Sequence, residues 1–377
     1  MEHMNSTDIG FQNIPGAVNG VLPYSVIRDI YVDYKNRLIP TGYHFTAFGS
    51  GGLLETVSSG TVGQGAWSNS SLNISVGSNQ TLGGNRSINS LRFANSHAVN
   101  LGAHELFVNT GAFLNAGGVS QINNGTITTA QDRYFFHIYG TRLSVSSNIS
   151  GANKELVKSG PGELVLYGAQ ANTYTGTTYI HEGTLVLNKS PGATAVRNIV
   201  VGDGGGVDTL RLGQSHQIDD LATVRLKGAS RAKNMTAQGV LHFNGASGVG
   251  LTEKIHTLEV EGQGVINFAG GTRSLANVLE TTRVLLPTAD DTLFIRNWIE
   301  YEDYFLVSRA LAPDAAALAR IWFEGWAEGA KLRDYTTSHW EIVPLGAPEP
   351  AIYGAVLGAA GLSLFIWRKR KREEIRC

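Results

Sequence analysis

From about Leu53 to Gly270, apolar residues recur at alternate positions in short runs: Leu164/Leu166, Leu185/Leu187, Leu210/Leu212, Val224/Leu226, Leu241/Phe243, Leu258/Val260 and Ile266/Phe268. A β-strand turns successive side chains to opposite faces, so each run predicts a strand that buries one side and shows the other to solvent. Gly, Asn, Ser and Thr separate the runs, and Gly and Asn in particular tolerate the positive φ that tight turns need. No amphipathic helix is evident in this stretch, which disfavours βαβ architectures. Short strands repeated over roughly 200 residues without closure favour a solenoid over a sandwich, each coil stacking its inward aliphatics on the next. The predicted fold is all-β: a right-handed parallel β-helix.

The best-formed unit is 156–188, LVKSGPGELVLYGAQANTYTGTTYIHEGTLVLN. Leu156, Lys158, Gly160, Gly162, Leu164, Leu166, Gly168, Asn172, Tyr174, Gly176, Thr178, Ile180, Gly183, Leu185 and Leu187 fall at the spacing of the autotransporter-associated β-strand repeat, which the unit resembles. The segment between Gly168 and Asn172 is slightly longer than the pattern. Ser87 to Phe93, Gly102-x-x-x-Leu106-x-Val108 and Asn124-Gly125-Thr126-Ile127 read as preceding coils. Val201 through Leu212, Ile218 and Val224-x-Leu226 read as following ones.

The texture changes near residue 272. Trp298, Trp322, Trp326 and Trp340 crowd the segment 272–346, with a short helix expected near Ala315 to Trp322. An open solenoid end exposes unpaired backbone and apolar core, so this segment reads as a cap. Residues 53–271 are the repeat region, and 1–52 a partial cap or the remnant of a longer upstream region.

The segment 347–377 has a different logic. Pro348-Glu349-Pro350 precedes the uncharged run Ala351 to Trp367, and Arg368, Lys369, Arg370, Lys371 and Arg372 follow it. As a helix the run spans about 25 Å, at the lower limit for crossing a hydrocarbon core of about 30 Å. The basic run predicts a cytoplasmic C-terminus, with the body on the other side. The order and spacing resemble the PEP-CTERM sorting signal of Gram-negative bacteria, and the whole layout resembles repeat proteins of the verrucomicrobial type that end in that signal. The resemblance implies a single transmembrane helix at 351–367, recognition of Pro348, Glu349 and Pro350 by an exosortase-like membrane protease, and a cell-surface or extracellular destination. Met1 to Gln12 has neither a basic nor an apolar leader region, which points to an upstream extension or another export route.

Composition narrows the picture further. Gly is 46 of 377 residues, charged residues are 16%, and the formal net charge is −1, so charge offers nothing to nucleic acid. The one cysteine, Cys377, rules out an intramolecular disulfide, leaving backbone ladders to carry stability. Asp219-Asp220 and Asp290-Asp291 are the only Asp-Asp pairs. Neighbours on a strand face opposite ways, so neither pair suits acid/base work, and both fall at expected turns. Asp203-Gly-Gly-Gly-Val-Asp208 partly matches a calcium nonapeptide, but one copy cannot build a cage shared between repeats. The ten histidines lack zinc spacing. No catalytic, cofactor or metal residue is therefore expected. The expected role is a non-enzymatic structural or adhesive envelope protein, in contact with exopolysaccharide through Thr, Asn and Ser. The competing expectation is a polysaccharide lyase or glycoside hydrolase on the same fold.

Overall fold

The structure, a computed structural model, describes residues 63–230, 236–245, 250–268 and 277–347, and the backbone of strands at 22–32, 38–48 and 54–56. Pro348-Glu349-Pro350, the run 351–367 and the basic residues 368–372 lie outside the described residues. Leu22–Val32, Leu38–Phe48 and Leu54–Thr56 pair antiparallel in a three-stranded sheet of their own.

The body is a β-solenoid of about nine turns with almost no helix. Each coil pairs in parallel with the next along three ladders. In the first, position 143 stacks in register through Leu143, Leu164, Leu185, Leu210, Leu241, Ile266, Ile295 and Phe323. All eight are buried. The second aligns Ile74, Leu91, Phe113, Phe136, Lys158, Ile180, Val201, Leu226 and Val260. The third is shorter and less regular, running from Leu106 and Ile127 to Ile149, then to Tyr174, whose N–H donates to the Ile149 carbonyl, and to the Val196–Ile218 bridge.

The alternating pattern explains why these strands form this fold. Adjacent coils lie about 4.8 Å apart, so an inward Leu meets the inward Leu above and below it. Each such side chain, fully removed from water, stabilises by about 1.5–3 kcal/mol. Phe113 and Phe136 stack with centroids 4.6 Å apart and planes within 8°, because parallel in-register strands superpose like residues.

Parallel pairing continues past residue 272, through Val278–Leu285, Thr292–Arg296, Tyr304–Ser308 and Ile321–Phe323. The aromatic-rich segment thus supplies further coils before it closes the end. The helix expected over Ala315 to Trp322 shortens to Ala315–Leu318, because Trp322 joins the parallel strand Ile321–Phe323. Closure is made by an antiparallel hairpin: His339–Pro344 pairs with both Tyr304–Ser308 and Ala330–Asp334. Beneath it the Arg333 guanidinium, 1% exposed, grips Glu341 through Nε and Nη2 at 3.0–3.1 Å and reaches Glu300 through Nη1 at 3.0 Å.

Candidate functional sites

The residues most conspicuous in the sequence, those of 156–187, face inward or hold corners. Leu156, Leu164, Leu166, Ile180, Leu185 and Leu187 are fully buried. Lys158 sits in the apolar column between Phe136 and Ile180, with no exposed surface. Its ammonium donates to the carbonyls of Gly160, of Glu182 at 2.7 Å and of Ser159 at 3.4 Å, closing a corner across two coils. Burial draws its pKa down to about 7, against the partial pull of Glu182, Asp208 and Glu163. Gly183 completes that corner: at φ +76° it adopts a conformation that side chains rarely take, and a Cβ there would lie 2.8 Å from the lysine nitrogen.

Asn172 holds another corner. Its side-chain oxygen accepts from the Ile149 N–H at 3.2 Å, and its nitrogen donates to the Ala195 carbonyl at 2.8 Å. One amide therefore ties the coil before to the coil after. Tyr174 is buried with its hydroxyl 2.7 Å from Thr178 Oγ1, so the phenol is satisfied inside the core. These are devices for satisfying backbone and side-chain polar groups at the corners and core of a solenoid.

The acidic candidates resolve in the same way. Asp219 sits at a turn and accepts from the Leu221 N–H at 2.9 Å. Asp291 is 3% exposed and takes the N–H groups of Gly262 and Thr288 at 2.8 and 2.5 Å. Asp203 is exposed and caps its own turn through Gly205 N at 2.8 Å. Asp208 instead points inward, where desolvation first and Asp203 second push its carboxyl up to about 7. The two ends of the Asp203–Asp208 stretch thus face different environments. Among the described residues no cluster of three or more His, Cys, Asp or Glu could hold a metal ion.

Sequence reasoning missed the buried acids Glu253, Asp303 and Glu341. Glu253 points inward and accepts the N–H groups of Gln217 at 2.9 Å and Ile218 at 3.1 Å. Burial raises its carboxyl to about 8 although those bonds favour the charged form. Asn277 repeats the device one coil on, bonding Leu251 N at 3.0 Å and Asp303 Oδ1 at 3.0 Å.

Several open depressions mark the described surface, and two of them bear on function. The larger, about 650 Å³, runs along the corner after the first ladder and is lined by Asn123, Asn124, Ser146, Tyr167 and Gln170 with neighbouring glycines. Tyr167 Oη donates to Asn123 Oδ1 at 2.6 Å, and Asn124 Nδ2 to Asn100 Oδ1 at 2.9 Å. Its lining carries amides and hydroxyls but no carboxylate or cation. The smaller, about 270 Å³, lies at the last coils between Phe294, Trp322, Trp326, Arg296, Glu324 and Glu328.

Comparison with known proteins agrees with the corner geometry. Residues 156–187 match the model of the passenger-associated-transport-repeat, an autotransporter-associated repeat. No curated protein and no solved structure matches the chain. The repeat together with the β-solenoid fits an exported structural or adhesive β-helix protein, and suggests a secreted or cell-surface location.

Proposed function

We propose that this chain is a non-enzymatic β-helix protein of the cell envelope or extracellular matrix, structural or adhesive in role. In this reading a PEP-CTERM-type signal delivers it. The apolar run 351–367 anchors it with the C-terminus in the cytoplasm until an exosortase-like membrane protease, recognising Pro348, Glu349 and Pro350, releases it to the surface. The basic stop Arg368 to Arg372 sets that orientation. The solenoid is right-handed, as twist dictates for parallel crossover connections. Among the described residues no helix is long and apolar enough to cross a membrane, so the anchor rests on the sequence of the tail.

The observation that carries the reading is the use to which the recognisable residues are put. Lys158, Asn172, Tyr174 and Asp291 spend their polar atoms on the solenoid's own corners and core. The long corner groove offers amides and hydroxyls, groups that bind hydroxylated polymers such as exopolysaccharide without transforming them. The test expresses the chain with an added signal peptide in a host that has an exosortase. Changing Pro348-Glu349-Pro350 to three alanines is expected to leave an unprocessed, membrane-bound species; processing that continues unchanged refutes the sorting role.

A polysaccharide-active enzyme is favoured by one observation, the gathering of Glu324, Glu328 and Arg296 in the smaller cleft. Paired carboxylates beside a cation are what glycosidic or lyase chemistry needs. New reducing or unsaturated ends released from polysaccharide by the purified chain, and lost in Glu324→Gln, would establish that reading over the binding one.

A further inference from the structure

The cleft at the last coils sets aromatic rings beside two exposed carboxylates. We propose that it binds a neutral polysaccharide, seating a sugar ring against Trp326 and Trp322. This rests on the exported, adhesive reading and names its partner.

Strand alternation supplies the first argument. Phe294 and Trp322 are directly paired on neighbouring strands, between the buried Leu293 and Ile295 on one and Ile321 and Phe323 on the other. Their positions are the outward ones, which the core does not require to be aromatic. They meet edge to face at 5.4 Å and stay half-buried, while Trp326, in the turn that follows, is 38% exposed. Trp298 backs Trp326 at 6.2 Å and is itself held by a 2.8 Å bond from its indole nitrogen to the Asp303 carbonyl. The Trp322 indole N–H is likewise satisfied internally, by the Ala319 carbonyl at 3.0 Å. With their nitrogens engaged, Trp298 and Trp322 offer apolar surface, and Trp326 adds its exposed ring.

The polar lining supplies the second. Glu324 and Glu328 are exposed, and neither carboxylate has a hydrogen-bond or ion-pair partner among the described residues. Arg296 is already engaged with Gln238 Oε1 at 3.3 Å. The cleft therefore combines aromatic surface with two unsatisfied, charged acceptors. A pyranose complements both, presenting C–H groups on its face and hydroxyl donors around its rim, and bonds from hydroxyl to carboxylate are among the stronger ones. Two free carboxylates against one occupied guanidinium disfavour uronate or sulfated chains. The size, about 270 Å³, suits a sugar unit or two rather than a folded partner.

The test uses the purified full chain in affinity electrophoresis through gels containing a β-1,4-glucan, a β-1,3-glucan, a galactomannan or alginate, alongside tryptophan fluorescence titration with the matching oligosaccharides. Retardation by at least one neutral polymer, with a change in tryptophan emission, is expected. Trp326→Ala and Glu324→Gln, both at exposed positions, should each weaken it at least tenfold while leaving circular dichroism unchanged. Retention by alginate alone, by poly-lysine alone or by nothing overturns the proposal, as does neutral-glycan binding that survives both variants. Because binding is measured on the isolated protein, failure of sorting in cells and failure of the cleft are separate results.

Discussion

Replacing Lys158 by methionine probes the corner at which the repeat motif and the fold meet. Methionine keeps most of the stem between Phe136 and Ile180 but deletes every donor to Gly160, Glu182 and Ser159. Each carbonyl left buried without a partner costs about 1–3 kcal/mol. In the opposite direction, the variant avoids desolvating an amine, the effect that draws the lysine from 10.5 to about 7. The two effects separate by pH. With its folded-state pKa below the unfolded value, the folded protein binds fewer protons between about pH 7 and 10.5, so wild-type stability rises with pH across that window. The slope is at most about 1.4 kcal/mol per pH unit. Methionine does not titrate. Asp208 and Glu253 work in the opposite sense, since their raised pKa values cost stability as pH climbs, but those losses are largely complete by about pH 8. Lys189, drawn down to about 8 by burial, titrates in both proteins and largely cancels in the comparison. Urea unfolding of wild type and Lys158→Met at about pH 8 and about pH 9.5 should therefore show wild type gaining about 2 kcal/mol on the variant. Fluorescence and circular dichroism must report one shared transition for the comparison to hold. A difference that stays constant within about 0.5 kcal/mol over that step would mean that the amine folds with its ordinary pKa, and the buried-clamp account fails.

Three further outcomes follow from the same packing. Leu164→Ala should cost about 2–5 kcal/mol in urea unfolding, and the outward neighbour Val165→Ala less than about 1; equal costs would contradict the alternation. Asn172→Ala should cost about 1–3 kcal/mol for each of its two lost bonds. Hydrogen exchange should locate the damage at Ile149, whose N–H loses its acceptor, while Asn172→Asp retains that acceptor and protects it. Glu341→Ala leaves the buried Arg333 with Glu300 as its one carboxylate partner among the described residues and should cost about 1–3 kcal/mol, read as faster proteolysis of the closing hairpin; Arg333→Met combined with Glu341→Leu should recover only part of it, since Glu300 then loses its cation.

Much of the solenoid is legible along the chain because its periodicity is local. The parity that pairs Leu156 with Lys158 already places the lysine inward, although a charged residue at an inward position invites the opposite reading. Asn172 is readable as a turn residue, but its partners Ile149 and Ala195 lie a coil away on either side. The coils beyond residue 272 escape a search for Gly-rich repeats, since bulkier residues such as Phe294 and Trp322 occupy their outward positions. Trp326 and Glu324 read as parts of a cap because nothing in their spacing shows that they line a cleft with Arg296.

The sequence by itself determined the strand period, the turn chemistry, the absence of an intramolecular disulfide and the apolar run followed by a basic cluster, all of which are legible without tertiary contacts. Only the tertiary structure decided which coil stacks on which and hence where a buried amine finds its carbonyls. It also decided that Glu324 and Glu328 line one cleft with the half-buried Trp322 and the exposed Trp326. The reason is physical: alternation is set within a strand by backbone geometry, whereas corners and clefts are made by residues a full coil apart, brought together by the ladder between them.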